Sequence, residues 1–154
     1  MDRDVASLRQ AIARVDSLPQ ERRRFLTSYA YVLVRIARVD AELSDAELAR
    51  IEESVLSAGD LAEADGTLIV SLASKMSQLF GATEDYAFTR DFARSSSPQQ
   101  RQRLLRSCVM VGTADGSMAA AEIAELHEIG LELGFAAEEV DAIREQMDPA
   151  AGQR

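Results

Sequence analysis

Two aspartate–glutamate pairs are the residues of this chain best placed to do chemistry. Asp40 and Glu47 are seven residues apart, and Asp115 and Glu122 repeat that spacing 75 residues further on. Each aspartate follows an apolar, helix-like run, and each glutamate opens the next amphipathic run. A tight turn between two helices would therefore bring each pair together. Hard cations such as calcium, magnesium or manganese take oxygen ligands of this kind. Two carboxylates are too few for a tight site unless backbone carbonyls or water complete it. An EF-hand does not fit, because Asp45 stands where that loop needs glycine and the stretch after Asp115 is rich in alanine. The preferred reading is that these glutamates cap helix N-termini and complement the helix dipole.

Other reactive groups are sparse. His127 is the only histidine, which excludes any histidine-based triad or multi-histidine metal centre within one chain. Cys108 is the only cysteine, sits mid-run among apolar residues, and reads as a buried, inert thiol of a reducing cytoplasm. No glycine-rich phosphate loop is present, since Asp65-Gly66 and Asp115-Gly116 are isolated. No nucleophile–base pair is recognisable, so catalytic residues are expected to be none, with no small-molecule substrate and no cofactor beyond a possible divalent cation. Arg22-Arg23-Arg24 reads as a solvated helix face, or as a dock for an acidic partner.

Composition bounds what the carrier can be. The 154 residues are 47% hydrophobic and 28% charged, which suits one globular domain. The net charge of −9 opposes electrostatic binding to nucleic acid or anionic lipid. Partners are instead expected to be proteins that approach acidic surface. The first ten residues lack the apolar centre of a secretion signal, and Tyr29–Val34 is too short an apolar run to span a membrane.

Periodicity predicts helices throughout. Val5, Leu8, Ile12 and Val15 mark a first helix over 3–16. Pro19 opens a second, running to about Val39, whose apolar residues cover most of its circumference and make it central. On its remaining stripe, Arg35 calls for a carboxylate or a helix C-terminus, and reads as a structural ion pair. Ser44 and Glu47 form a capping box for a third helix ending at Gly59. Asp60-Leu61-Ala62-Glu63 resembles another such box, opening a helix to about Phe80. Thr83 is expected to cap a helix carrying Tyr86, Phe88 and Phe92. Ser97-Pro98 opens a second central helix over 98–114, which Asp115-Gly116 ends. Further helices run from about Ala119 to Gly134 and over 138–147. The expectation is an all-α single-domain bundle of about eight helices over 1–154. It contains two pseudo-repeated helix-turn-helix units, approximately 19–59 and 98–134, and a disordered tail at 148–154. Whether the central helices run parallel, sharing one end for both acidic turns, or antiparallel is left open by the sequence.

The two turns carry a further signal. Ala37-Arg38-Val39-Asp40, then Glu42-Leu43-Ser44 and Glu47, followed later by Ala114-Asp115-Gly116-Ser117-Met118 and Glu122, resemble the doubled signature of the tellurite-resistance protein B (TerB)-like family. Asp85–Arg90 and Pro98–Leu105 are similar to its stand-alone bacterial branch. The resemblance covers roughly 22–147, and departs from the pattern at Ala41, where glycine is typical. It implies an all-α fold, a cytoplasmic bacterial protein, and a link to tellurite or general stress responses. The resulting expectation is a non-enzymatic interaction module. The alternative is a divalent-cation-binding protein using Asp115, Glu122, Asp40 and Glu47.

Overall fold

The computed structural model describes residues 2–40, 43–59 and 62–148. Eight α-helices occupy them: α1 (Asp2–Ser17), α2 (Gln20–Ala37), α3 (Asp45–Gly59), α4 (Glu63–Leu79), α5 (Ala82–Ser95), α6 (Pro98–Gly112), α7 (Ala120–Leu133) and α8 (Ala137–Met147). A short 3-10 turn over Arg38–Asp40 closes α2. No strand occurs among the described residues, and no described helix is long and apolar enough to cross a membrane.

α2 is the hub. It packs against α3, α4, α5, α6 and α7, and every residue from Ser28 to Ala37 is buried. That follows from a sequence apolar nearly all round, which has to be enclosed rather than laid on a surface. α6 is different. It buries Leu104, Leu105, Cys108, Val109 and Val111, but its first turns and Arg106 face solvent. The two units written alike in the sequence are therefore not equivalent in the bundle.

The chain direction left open by the sequence is parallel. The Tyr29 hydroxyl shares a hydrogen bond with Ser107 Oγ at 2.6 Å, linking the bodies of α2 and α6. Beyond their C-terminal ends, Ser44 Oγ donates to Asp115 Oδ2 at 2.8 Å. Both acidic turns thus lie at one end of the molecule.

Five helix starts follow one device. A glutamate or glutamine three residues past the cap turns back to accept the cap residue's N–H: Glu47 at α3, Glu84 at α5, Gln100 at α6, Glu122 at α7 and Glu139 at α8. Ser44 and Ser97 reciprocate with their hydroxyls, as the sequence predicts. Two expected starts are corrected. Gly81, not Thr83, caps α5, because Glu84 reaches its N–H. The cap of α4 is Ala62, which places Glu63 in the first position of the helix rather than the third, so no reciprocal box forms there; Asp60 and Leu61 lie outside the described residues. At the other ends, Gly134 closes α7 as expected. Asp115-Gly116 lies beyond the end of α6 rather than at it. Gly116 has φ +125°, in the region that favours glycine, and turns the chain toward α7. Of the expected disordered tail, Asp148 is instead buried, its N–H bonded to the Arg144 carbonyl at 2.7 Å; residues 149–154 lie outside the described residues.

Candidate functional site

The acidic turns come together through one serine. Ser44 Oγ accepts from the Glu47 N–H at 3.1 Å and donates to Asp115 at 2.8 Å. Glu47 Oε1 returns to the Ser44 N–H at 3.1 Å, which completes the capping box. At the second turn Glu122 Oε1 accepts from the Ala119 N–H at 3.0 Å. Alanine has no acceptor to return the bond, so capping there is one-sided. Glu47 and Glu122 are each only 6% exposed, whereas Asp115 faces solvent. The Asp40 side chain lies outside the described part of the structure. Among the described residues no group of three or more aspartate, glutamate, histidine or cysteine side chains is gathered as an ion would need. The identical reach of Glu84 and Glu139 at α5 and α8 shows the same role at helix starts that carry no paired aspartate motif.

A second polar centre lies inside the bundle. The Arg35 guanidinium, buried on α2, holds Glu132 of α7 with two parallel bonds, Nη1 to Oε1 at 2.8 Å and Nη2 to Oε2 at 3.0 Å. Its Nε donates to Glu125 Oε1 at 2.5 Å, and Nη1 also reaches Thr89 Oγ1 of α5 at 3.0 Å. Burial alone pulls the arginine pKa down, but the bonds from Glu132 and Glu125 reverse this and raise it above the usual value. Arg35 therefore has the carboxylate partner its sequence position calls for, and α2, α5 and α7 meet on one charge. Beside it, Tyr31 donates its hydroxyl to Asp85 Oδ1 and stacks on Phe88, with ring centroids 4.4 Å apart. Burial, then the bond to Asp85, pushes that phenol above its ordinary pKa.

The remaining single residues fall where chemistry is least available. Cys108 is fully buried, and desolvation pushes its thiol up to about 12. His127 is half-buried on the flank of α7, its Nε2 2.8 Å from Asp141 Oδ1 of α8. The arginine run is not a merely solvated face. Arg22 caps α3 through the Gly59 carbonyl, and Arg24 binds Asp91 of α5 with two bonds of 2.8 Å. Arg23 lies 3.9 Å from Asp16.

The corner between α4 and α5 is a surface that sequence reasoning missed. Leu79 is 81% exposed, Tyr86 53%, Leu72 43% and Phe80 39%. Phe88 joins them: its ring stacks with Phe80 at 6.1 Å, and it lines one depression with Leu72 and another with Tyr86. The signal was in the spacing. Tyr86 and Phe88 are two residues apart, which on a helix at about 100° per residue sends them to nearly opposite sides. They cannot share one buried stripe with Phe92. Phe92 takes the core, and Tyr86 is left outside on a stripe with Arg90 and Arg94.

Comparison with known proteins adds one finding: the family model described as tellurite resistance protein TerB matches residues 26–145. The match spans both acidic turns and the Arg35 centre, and it leaves out α1 and the last residues. No curated protein and no solved structure matches the chain.

Proposed function

The chain belongs to the TerB family, and from that footing we propose that it is a non-enzymatic cytoplasmic module that docks other proteins in a stress response. The observation that carries this reading is the α4–α5 corner. Four large apolar side chains stand open there, while the core beneath is sealed. Large apolar side chains left exposed together at one corner of a domain suit the binding of another molecule. The groups that could serve acid–base chemistry support the same reading. Glu47 and Glu122 hold helix starts, and Glu125 and Glu132 hold Arg35. A free, buried Cys108 suits a reducing compartment.

Site-specific photo-cross-linking tests the reading. A benzophenone amino acid placed at Leu79 or Tyr86 in the host cell is expected to yield discrete protein adducts, and one placed at exposed Glu138 on α8 is not. Absence of adducts from the corner overturns the proposal. So does turnover in a broad hydrolase and transferase screen that Glu47→Ala or Glu122→Ala abolishes.

A second reading places a divalent cation at the acidic turns. It is favoured by the Ser44–Asp115 contact, which brings the second aspartate to the first turn.

A further inference from the structure

We propose that the two adjoining depressions over the first half of α2, one toward α5 and one toward α1 and α4, bind an acidic, amphipathic segment of a partner protein. This rests on the interaction reading above and gives it a place and a chemistry. Two adjoining depressions, of about 540 Å³ and about 480 Å³, are both lined by Arg24, Ser28 and Phe88. Their apolar surface comes from Tyr86, Phe88 and Leu72, enough to seat bulky side chains rather than a small anion alone. Their rim is cationic. Arg23, Arg24, Arg90 and Arg94 line the two depressions against only Asp16 and Asp91, in a chain whose net charge is −9.

Two of those arginines have spare donors. Arg24 is committed to Asp91. Among the described residues, the Arg90 guanidinium reaches only the Glu132 carbonyl, through Nη1 at 3.5 Å, and Arg94 makes no ion pair. Arg90 and Arg94 lie one turn apart on the same face of α5, where like charges repel. Partner carboxylates would relieve that repulsion and accept the unused N–H groups, guanidinium and carboxylate being matched for two-point bonding. An apolar floor between such groups asks for a segment with glutamates or aspartates on one side and leucine or phenylalanine on the other. Phosphate-rich ligands satisfy the rim but leave the floor uncovered.

The probe is a fluorescein-labelled synthetic peptide, glutamate on one helical face and leucine and phenylalanine on the other, followed by fluorescence anisotropy with the full chain. Binding is expected to weaken at least tenfold with Arg90→Glu/Arg94→Glu and with Tyr86→Ser, and to weaken as salt is added. Versions of the peptide with lysine for glutamate, or serine for the apolar residues, are expected not to bind. Tyr86 and Arg94 are exposed, so Tyr86→Ser and Arg94→Glu alone keep the test sound if the double variant does not fold. Peptide binding that ignores these substitutions, or tighter binding of the lysine version, overturns the assignment. Capture of the protein by phosphatidylglycerol vesicles, lost in Arg94→Glu, while the glutamate peptide fails to bind, would show a lipid surface to be the occupant instead. Failure of the interaction reading itself shows up separately, as absence of cross-links from Leu79 and Tyr86 in cells.

Discussion

Ser44, in the first acidic turn, donates its hydroxyl to Asp115 in the second, at 2.8 Å, while accepting the N–H that starts α3. One side chain thus serves a helix cap and the junction between two halves of the bundle. Ser44→Ala is expected to destabilise the fold by about 1 kcal/mol through loss of the cap. In a domain of this size that lowers Tm by roughly 2–4 °C. Ser44→Thr keeps a hydroxyl and is expected to recover most of it. Thermal melts followed by circular dichroism check both; an unchanged Tm for Ser44→Ala would mean the cap contributes nothing.

Arg35→Ala is expected to cost about 3–5 kcal/mol, because it leaves the buried Glu132 carboxylate without its partner. Replacing both by apolar residues, Arg35→Met with Glu132→Leu, is expected to cost far less than either single change. Urea denaturation of the three variants is the measurement. A cost below about 1 kcal/mol for Arg35→Ala would place the pair with exposed bridges, which contribute little.

Gly130→Ala runs against helix propensity, which taken alone favours alanine by about 1 kcal/mol. A Cβ at this position on α7 would overlap Cγ2 of Val140, a buried and β-branched residue of α8 with little rotamer freedom. The expected result is a net loss of about 1–3 kcal/mol, typical of overpacking. Val140→Ala in the Gly130→Ala background is expected to return part of it, and a double-mutant cycle reads the coupling directly.

Cys108 gives a signature in alkali. Its folded pKa is raised from 9.0 to about 12 by desolvation. The unfolded chain therefore releases this proton at lower pH than the folded one. The contribution to stability is complete below about pH 9 and is lost as pH climbs toward about 12. Chemical denaturation is expected to show a decline over that window that Cys108→Ala lessens, the part that remains above about pH 10 coming from the raised phenols of Tyr29 and Tyr31. At pH 8 a thiol reagent is expected to label the urea-unfolded protein quickly and the native protein hardly at all.

A cation held at the paired turns depends on Asp115 more than on Asp40. Asp115 faces solvent beside a glycine in the left-handed region, and Glu122 has no serine to reciprocate its cap. Calorimetric titration with calcium, magnesium and manganese is expected to lose its heat in Asp115→Asn and keep part of it in Asp40→Asn. The opposite pattern would reverse the two roles. No heat from the parent protein would leave helix capping as the whole account of both motifs.

How far these features were legible in the sequence depended on how local their causes are. Ser97-Pro98, Ser44 with Glu47, and Gly134 announce helix ends through neighbours within a few residues, and the structure keeps all three. The start of α5 was harder: glycine and alanine caps carry no acceptor, and a glutamate three residues on holds the end alone. The need of Arg35 for a carboxylate could be read from its position on an apolar helix. Its partners could not, because Glu125 and Glu132 lie 90 and 97 residues away. The parallel run of α2 and α6 is likewise a tertiary choice that local periodicity does not encode. The acidic residues that attract attention in the sequence lie at one end of the molecule, whereas a depression of about 540 Å³ lies along the stripe of Tyr86, Arg90 and Arg94.

Because α2 is enclosed by helices that come after it in the chain, the order of synthesis matters. The ribosome delivers α2 long before Glu132, which is made 97 residues after Arg35. At usual elongation rates that interval is roughly 5–20 s. During it the nascent helix carries an unmatched cation amid bare apolar surface, covered at first only by α3 and α4. Such a chain waits on its own second half. Holding factors that shield hydrophobic nascent segments would find their longest opportunity here, and a synthesis pause between α5 and α7 would expose this protein to aggregation more than the same pause after α7.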